Sequence, residues 1–460
     1  MRPSEALLSN DRIPDFSFAG YRMGMQPPRL PAVVDAKRFG VRADGVTDDS
    51  RALRAALDAT RDGALVLPAG RIVLGDAVRI TRSRVVLRGQ GPDKTVLVAP
   101  KSLWELHPPG DPSAPRYYGF VEARGTLRGA KLGDVAAPAR RGERTLELSA
   151  AVAIRAGELV RLRMGNAEAL LRVLLGGREP GPQTPRDYEH YVDWATPVER
   201  VDGVRVILAR PLRVDVRPEW GAEIVAFQPT VEDVGVEDLA FEFPGTPRRR
   251  FDEEGFSAIY VRDVANAWVR NVIVTDADNG IELEGCRFCR VEAVRLRAAV
   301  RGVPSGHHAL WAKESQDCVF ADFAIETQFD DEVTVEAFSN GNVFMRGVAE
   351  AMGLDHHRNA PYENLFTDLD VGSPARLWKS GGDAARGPHA GVRETLWNVR
   401  HRGHPPALPG ALHFDKPDAG WPELNLVRVD GYAPTGAGDT WIEPAPDAPP
   451  NLYEAQRRRR

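Results

Sequence analysis

The feature that most constrains the fold is a recurrence of short strand-like segments after residue 230. Each segment has β-branched or other apolar residues at alternate positions, the pattern of a strand with one buried face. Eight such segments begin 33, 22, 28, 24, 22, 31 and 30 residues apart. Their first residues are Val236, Val269, Val291, Val319, Val343, Leu365, Leu396 and Leu426. A period of about 20–50 residues is typical of solenoids, in which each repeat stacks on its neighbour.

The kind of solenoid follows from comparison with other repeats. A leucine-rich repeat needs a Leu and Asn framework that is missing, and helical repeats need apolar stripes of period 3.6. Strands of an antiparallel sandwich recur faster, at about 8–12 residues. The sequence therefore predicts an all-β protein, a single-stranded right-handed parallel β-helix in which each interval is one coil.

The opening segment, residues 33–86, predicts how this helix is capped. Short β-rich runs separated by Gly, Pro and Asp surround a stretch with helical periodicity. Asp48 and Asp49 offer capping carboxylates, and Leu53, Ala56 and Leu57 form one apolar face. An open β-solenoid needs its apolar end covered, and a short amphipathic helix serves that purpose.

The same segment resembles the start of pectate lyase superfamily proteins, the pectin-lyase-like β-helices that include relatives of glycoside hydrolase family 28. The residues that carry the resemblance are Gly40, Asp44, Gly45, Thr47, Asp48, Asp49, Pro68 and Gly70. The resemblance implies a β-helix that acts on carbohydrate and an extracellular or periplasmic location. It leaves the reaction open, because one fold hosts several chemistries.

The chain divides by pattern into five parts. Residues 101–225 interrupt the recurrence with Pro-rich and Gly-rich turns and the helical-looking EALLRVLLGG, so we predict an inserted subdomain, which either forms a wall of the substrate groove or is purely structural. The Arg457–Arg460 run is interpreted as a solvated tail. The predicted parts are an N-terminal extension (1–32), capping helix and first coils (33–100), insertion (101–225), main coils (226–445) and C-terminal tail (446–460).

Charge and cysteine content limit the partners. A net charge of −5, spread over 60 basic and 65 acidic residues, argues against nucleic acid and membrane surfaces as partners. Three cysteines do not make a disulfide framework, and the C-x-x-C at Cys286 and Cys289 lacks a second pair for zinc, so we expect buried thiols. The N-terminal residues do not have the layout of a signal peptide, so a cytoplasmic location stays open. The oligomeric state is not indicated.

Titratable residues accumulate between residues 307 and 379. Equivalent positions in neighbouring coils lie about 4.8 Å apart, so polar residues that recur at the coil interval form a column on one face. The predicted catalytic residues are His356, His357, Lys379, Arg376, Asp355, Asp330 and Asp331. The predicted substrate-binding residues are His307, His308, Lys313, Arg358 and Trp378.

The basic residues of this column favour a polysaccharide lyase acting by β-elimination on a uronic-acid-containing glycan. A cation must neutralise the C6 carboxylate, a base must remove the C5 proton, and an acid must assist the leaving oxygen. Arg376 or Arg358 are candidates for the first role, and His357 or Lys379 for the second. The other histidine, His356, would be the acid.

Two alternatives stay open. A glycoside hydrolase would use paired carboxylates from Asp330, Asp331 and Asp355, although the chain lacks the full motif set of the polygalacturonase branch. Asp355-His356-His357 is also similar to the Asp-Pro-His element of alginate epimerases, with His356 in place of proline.

The second alternative to a lyase, after the hydrolase, is a non-catalytic glycan-binding or spike-like β-helix.

The sequence indicates no definite cofactor, and no metal site is predicted in the column. Asp276, Asp278 and Asn279 are candidate Ca²⁺ ligands, because clustered oxygens suit that ion, but a turn between coils is the favoured interpretation.

Overall fold

The computed structural model describes residues 7–8, 10–108, 110, 118–184, 188–245, 253–299, 306–374, 377–403, 421–432 and 440–460. The fold is all-β, with 40% strand and 11% helix. Most strands pair in parallel with the equivalent strand of the next coil, as in Val236 beside Val269 and Val269 beside Val291. The predicted parallel β-helix is thus confirmed.

One side of the β-helix is a sheet of 17 strands, called the long sheet below. All eight recurrent segments of the sequence lie in it. Its strands are Ala32–Asp35, Asp44–Asp48, Gly63–Val66, Gly70–Val73, Val85–Arg88, Thr95–Val98, Gly235–Glu242, Trp268–Thr275, Arg290–Arg297, Val319–Ala321, Ala324–Ile325, Val343–Met345, Val348–Ala349, Leu365–Asp370, Thr395–Arg400, Asn425–Val427 and Trp441–Glu443.

The other side is a seven-stranded parallel sheet. It consists of Val78–Ile80, Val121–Arg124, Ile259–Arg262, Asn279–Glu284, His308–Lys313, Asp331–Glu336 and Leu354–His356. The strands of this sheet are in register, so that Glu282, Trp311, Thr334 and Asp355 lie side by side. Because side chains alternate between faces, each such row lies either inside the coils or outside.

The interior of the coils is filled by apolar residues and by ladders of identical side chains. Phe320, Phe344 and Phe366 stack with ring centroids 4.5 and 5.3 Å apart. At the turns, the amide of Asn342 donates to Asn364 at 2.9 Å, and Asn364 donates to Glu394 at 2.9 Å. Such ladders satisfy buried polar groups from one coil to the next. Cys286, Cys289 and Cys318 are buried thiols in this interior.

The predicted capping helix is Ser50–Ala59, and its buried face includes Leu53, Ala56 and Leu57. The N-cap residue is Asp49, whose side chain makes no capping hydrogen bond, and Asp48 accepts a hydrogen bond from the Ser50 amide at 2.9 Å. Asp49 instead accepts the amides of two residues in the preceding turn. The remaining helices are Leu103–Leu106, Glu168–Leu174 and Leu452–Arg459, with the turn Tyr21–Gly24 and the 3₁₀ segments Ala36–Phe39, Pro218–Trp220 and Ala384–Arg386.

The inserted segment contains an antiparallel sheet with its own apolar core. Val121–Arg124 lies inside the predicted insertion of residues 101–225 but pairs in parallel within the β-helix. The antiparallel part starts ten residues after the start of that strand. Its strands are Lys131–Asp134, Thr145–Glu147, Leu159–Gly165, His190–Asp202, Arg205–Leu208 and Glu223–Ala226, beside the small pair Leu127–Arg128 and Gln228–Pro229.

The two ends of the chain pack together on the long sheet. Phe16 and Ile13 from the N-terminal extension and Leu452 and Tyr453 from the last helix are buried against outward-facing residues of the sheet. The segment predicted as a free tail is therefore a docked helix, although the side chains from Arg457 onward are exposed. In the described part of the chain, no helix is long and apolar enough to cross a membrane.

Candidate functional site

The outer face of the seven-stranded sheet gathers most of the predicted site residues. His307 and His308 come from one coil, Asp331 from the next, and Asp355 and His357 from the one after. The rings of His307 and His308 are 4.0 Å apart, and that of His308 is 5.3 Å from His357. The column predicted from the coil interval therefore exists at this face.

Asp331 is the hub of the ion pairs in this cluster. Its Oδ1 lies 2.6 Å from Lys379 Nζ, and its Oδ2 lies 3.5 Å from His307 Nε2. Burial disfavours the charge, but His307, His308 and Lys379 outweigh it and lower the pKa of Asp331. Lys379 also donates to the carbonyl oxygen of the buried Asp330.

The histidines differ in charge because their partners differ. Burial lowers the pKa of His307, but hydrogen bonds to Asp331 and to Glu253, 2.7 Å away, outweigh it and raise the pKa to about 9. Burial, with the positive charge of His307, lowers the pKa of His308 well below its ordinary value. His308 is therefore neutral at pH 7, with its Nδ1 2.9 Å from the hydroxyl oxygen of Thr334.

His357 forms a pair with Asp355, with its Nδ1 2.8 Å from the carboxylate. Burial opposes the charged form, but the attraction of Asp355 raises the pKa of His357. The other carboxylate oxygen of Asp355 accepts a hydrogen bond from the amide of Gly381, so both oxygens have a hydrogen-bond partner. This orients the His357 ring toward the cluster.

Several predicted residues do not join the cluster. His356 alternates with Asp355 and so points into the coil, where its ring is 3.8 Å from Trp421 and its Nε2 is 3.3 Å from Glu394. Trp378 is likewise in the core, donating to the hydroxyl of Tyr432 at 3.1 Å. Arg358 donates to backbone carbonyls of the loop that follows Lys379. Arg376 lies outside the described residues.

A second row on the same face contains carboxylates that the sequence interpretation missed. Glu282 and Glu284 alternate on the strand Asn279–Glu284 and share its outer face. Glu282 stands between Tyr260 and Trp311 in register, and Glu284 stands beside Lys313. The signal that would have found them is a pair of acidic residues at alternate positions of an apolar strand, GIELE, one coil before the histidines.

The two carboxyl groups have different environments. Burial, together with the negative charge of Glu284, raises the pKa of Glu282 well above its ordinary value. Glu284 instead accepts a hydrogen bond from the Tyr260 hydroxyl and lies 3.5 Å from Lys313 Nζ and 3.7 Å from Arg262. Glu284 thus has a phenol and two cations beside it, whereas burial favours the protonated form of Glu282.

Aromatic rings line the face on both sides of Glu282. Trp311 is half-buried and stacks on His308, with centroids 4.1 Å apart and planes at 22°. On the other side, the exposed Tyr118 packs on Tyr260 at 5.1 Å. Flat apolar rings with polar neighbours are suited to sugar binding, because sugar rings have apolar faces too.

Two groups on this face have the geometry to hold a metal ion. His308, Asp331 and His357 offer ligand atoms within 4.8 Å of one another, as do Glu253, His307 and His308. A cation there would meet Lys379, whose ammonium already pairs with Asp331. The existing positive charges oppose a metal ion at this position.

The candidate calcium ligands have other contacts. Asp276 accepts the amide of Ala299 at 2.9 Å, and Asp278 accepts those of Glu254 and Phe256. Asn279 accepts the amide of His308 at 3.2 Å. These are the bonds of turns between coils, and calcium binding at these residues stays a prediction.

Comparison with known proteins supports the fold alone. No protein-family model matches the sequence, and no curated protein matches it either. Among solved structures, the tailspike protein gp49 of Pseudomonas phage LKA1 is similar with a TM-score of 0.53 and 11% identity, over 80% of this chain and 59% of that chain. This chain therefore spans less than two thirds of the length of that tailspike.

Two further structures are similar at lower scores. The tailspike of Acinetobacter baumannii bacteriophage AP22, solved in complex with a capsular saccharide of that bacterium, has a TM-score of 0.49 and 11% identity over 89% of this chain and 66% of that chain. The A-module of a mannuronan C-5 epimerase from Azotobacter vinelandii has a TM-score of 0.39 and 13% identity over 86% of this chain and 80% of that chain.

Proposed function

We propose that this protein is a carbohydrate-active enzyme that hydrolyses a glycosidic bond at the outer face of the seven-stranded sheet. The observation that carries the proposal is the pair of carboxyl groups at Glu282 and Glu284, which share one face but have opposed environments. Hydrolysis of a glycosidic bond needs one protonated and one ionised carboxyl group on either side of the scissile bond.

Glu282 is the general acid in this mechanism. Its pKa is raised by burial and by Glu284, which favours the protonated form that a donor to the leaving oxygen needs. Its neighbours in register are the uncharged Tyr260 and Trp311, and the charge of Lys313, which favours ionisation, is outweighed by burial and Glu284. The position between two aromatic residues places it where a bound sugar chain would pass.

Glu284 is the second carboxylate, acting as nucleophile or as the base that activates water. Lys313, Arg262 and the Tyr260 hydroxyl stabilise its negative charge. Residues two apart on a parallel strand are separated by about 6.6 Å. That lies within the separation of roughly 5–9.5 Å found between paired carboxyl groups of glycosidases.

The β-elimination hypothesis is less well supported by the contacts. It requires a cation available to the substrate carboxylate beside the base, and the predicted cations among the described residues have partners within the protein. Lys379 pairs with Asp331, Lys313 pairs with Glu284, and Arg358 donates to backbone carbonyls. The neutral His308 is an available base, but it is almost fully covered.

A panel of polysaccharides tests the proposal. The protein is incubated with acidic and neutral glycans while new reducing ends and absorbance near 235 nm, the signal of an unsaturated uronate, are followed. We expect reducing ends without that absorbance. Absorbance in step with reducing ends would replace hydrolysis by β-elimination. Binding without any cleavage would identify a glycan-binding β-helix and overturn the enzymatic proposal.

A further inference from the structure

A cavity of ≈ 350 Å³ lies where the inserted antiparallel sheet meets the ends of strands in the seven-stranded sheet. Its lining includes Gly285 and Glu314, the residues that directly follow Glu284 and Lys313. The cavity therefore adjoins the proposed cleavage site. Its volume falls in the range of small-ligand pockets, about 300–1,000 Å³.

Arg287 is a buried cation in the lining of this cavity, with 4% of its surface exposed. Its guanidinium donates to the carbonyl oxygens of Cys286, Glu314 and Asp193 at 2.9–3.1 Å, and its Nε has no hydrogen-bond partner. No carboxylate of the described residues is paired with it directly, although its charge acts on Asp263 and Glu314 in the same lining. A buried charge without a directly paired counter-ion is costly, and an anionic ligand would reduce that cost.

Two more arginines from the insertion line the same cavity. Arg161 pairs with Asp193 at 2.8 Å, and Arg163 lies 3.8 Å from the same carboxylate and 3.5 Å from Glu223. The Nε atoms of both arginines are buried without a hydrogen-bond partner. One carboxylate is thus shared by two guanidinium groups, which leaves donor capacity for an anion.

Three other carboxyl groups line the cavity. Glu189 is exposed and lies 3.8 Å from His190, Asp263 lies 3.4 Å from Arg262, and Glu314 accepts a hydrogen bond from the Tyr188 hydroxyl at 3.2 Å. Burial raises the pKa of both Asp263 and Glu314. Glu189, Asp263 and Glu314 are not among the carboxylates paired with Arg161 and Arg163, which are Asp193 and Glu223.

One wall of the cavity is aromatic. Tyr188 and Tyr191 pack on Phe338, with ring centroids 5.2 and 4.9 Å apart. Tyr188 also joins the cavity to the face of the sheet through its hydrogen bond to Glu314. A ring-shaped ligand with one anionic substituent could pack its ring on this aromatic wall and place the substituent at the arginines.

We propose that this cavity is a subsite for an acidic sugar residue, with Arg287, Arg161 and Arg163 holding its carboxylate. The substrate class is then an anionic polysaccharide, cleaved next to an acidic unit. This inference rests on the proposed function for its place in the reaction. The binding of an acidic sugar to the cavity is independent of whether the neighbouring carboxyl groups are catalytic.

The binding test uses the full chain and a matched set of monosaccharides. D-galacturonate, its neutral methyl ester and D-galactose are titrated and followed by NMR of the ligand. We expect galacturonate to bind at least ten times more tightly than either neutral sugar. Equal binding of the acid and its ester would overturn the proposal, because only the charge differs between them.

Two substitutions assign the binding to the cavity. Arg287→Gln removes the charge while keeping two donors, and Arg163→Gln does so at a more accessible side chain. Each is expected to weaken galacturonate binding about tenfold or more. Arg295→Gln, which alters an exposed arginine paired with Glu326 on the long sheet, is the control and should bind like the wild type. Should Arg287→Gln fail to fold, Arg163→Gln decides, and unchanged affinity in it overturns the proposal.

Failure of the subsite and failure of the proposed hydrolysis give different results. Hydrolysis of neutral polysaccharides as fast as acidic ones would overturn the subsite and leave the catalytic pair intact. Tight binding of galacturonate without cleavage of any polysaccharide would support the subsite and overturn the hydrolase. Glu282→Gln should bind galacturonate as the wild type does, since it does not line the cavity.

Discussion

The outer faces of the long sheet and of the seven-stranded sheet belong to the same coils but bear different kinds of side chain. On the long sheet, Val319, Val343 and Leu365 point outward and are covered by both chain ends. On the seven-stranded sheet, the same coils present His308, Asp331 and other titratable groups. An apolar outer face must be covered, and a polar one can stay open to a ligand.

The two outer faces of the β-helix therefore have different roles. The covered face ties the N-terminal extension and the last helix to the coils, with Tyr453 donating to the carbonyl oxygen of Ala19 at 2.8 Å. The open face concentrates buried charges, which lower stability unless they are paired. Substitutions on the two faces should therefore have separable effects, the first on folding and the second on activity.

The largest expected effect is on the open face. Glu282→Gln removes the acidic proton but keeps the shape, so we expect hydrolysis to fall by about 10²–10⁴-fold with little change in the unfolding midpoint. Glu292→Gln on the long sheet, where Glu292 pairs with Arg290, is the control and should keep full activity. Activity of Glu282→Gln above one tenth of the wild-type rate would contradict the acid role.

Substitutions on the covered face should lower the stability of the protein. Phe16 is fully buried between the long sheet and the last helix, so Phe16→Ala should lower the free energy of unfolding by about 3–5 kcal/mol. The kcat of the folded variant should be unchanged. Urea titration measures the first and initial rates the second, with the exposed Phe39→Ala as control. A loss of kcat without loss of stability would show that the two faces are coupled.

The charge of His307 should make stability depend on pH. Its pKa is about 9 in the folded protein and roughly 6.5 unfolded, so its stabilising effect is complete below pH 6.5 and disappears as pH rises through 9. The effect is at most roughly 3 kcal/mol. We expect the difference in unfolding free energy between wild type and His307→Gln to shrink between pH 6 and pH 10. A difference that stays constant over this range would rule out the proposed ion pairs.

The smallest effect is expected at the aromatic surface. Trp311→Ala removes a half-buried ring that stacks on His308, so KM should rise about tenfold, or roughly 1.4 kcal/mol, with kcat nearly unchanged. Trp441→Ala, on the covered long sheet, should leave KM as it is. If both variants behave alike, Trp311 does not contact the glycan.

The sequence was most informative where its pattern repeats. The alternation in the eight recurrent segments predicted the strands of the long sheet, and the spacing predicted that His307, Asp331 and Asp355 would lie in neighbouring coils. It was less informative within a coil. His356 and Asp355 are adjacent in sequence, yet one enters the core and the other the site, and only the register of the short strand Leu354–His356 decides which.

The insertion marks the limit of what local patterns determine. The sequence by itself determined the β-helix, its capping helix and the coils that bear the titratable groups, because alternation and period are local properties of the chain. The tertiary structure alone decided that Arg161 and Arg163 of the insertion meet Arg287 of the β-helix around one cavity. That contact joins residues more than 120 positions apart, and no repeat links them. The tertiary structure likewise decided the direction in which the pKa of Glu282 shifts, since burial and neighbouring charge, not residue type, raise it.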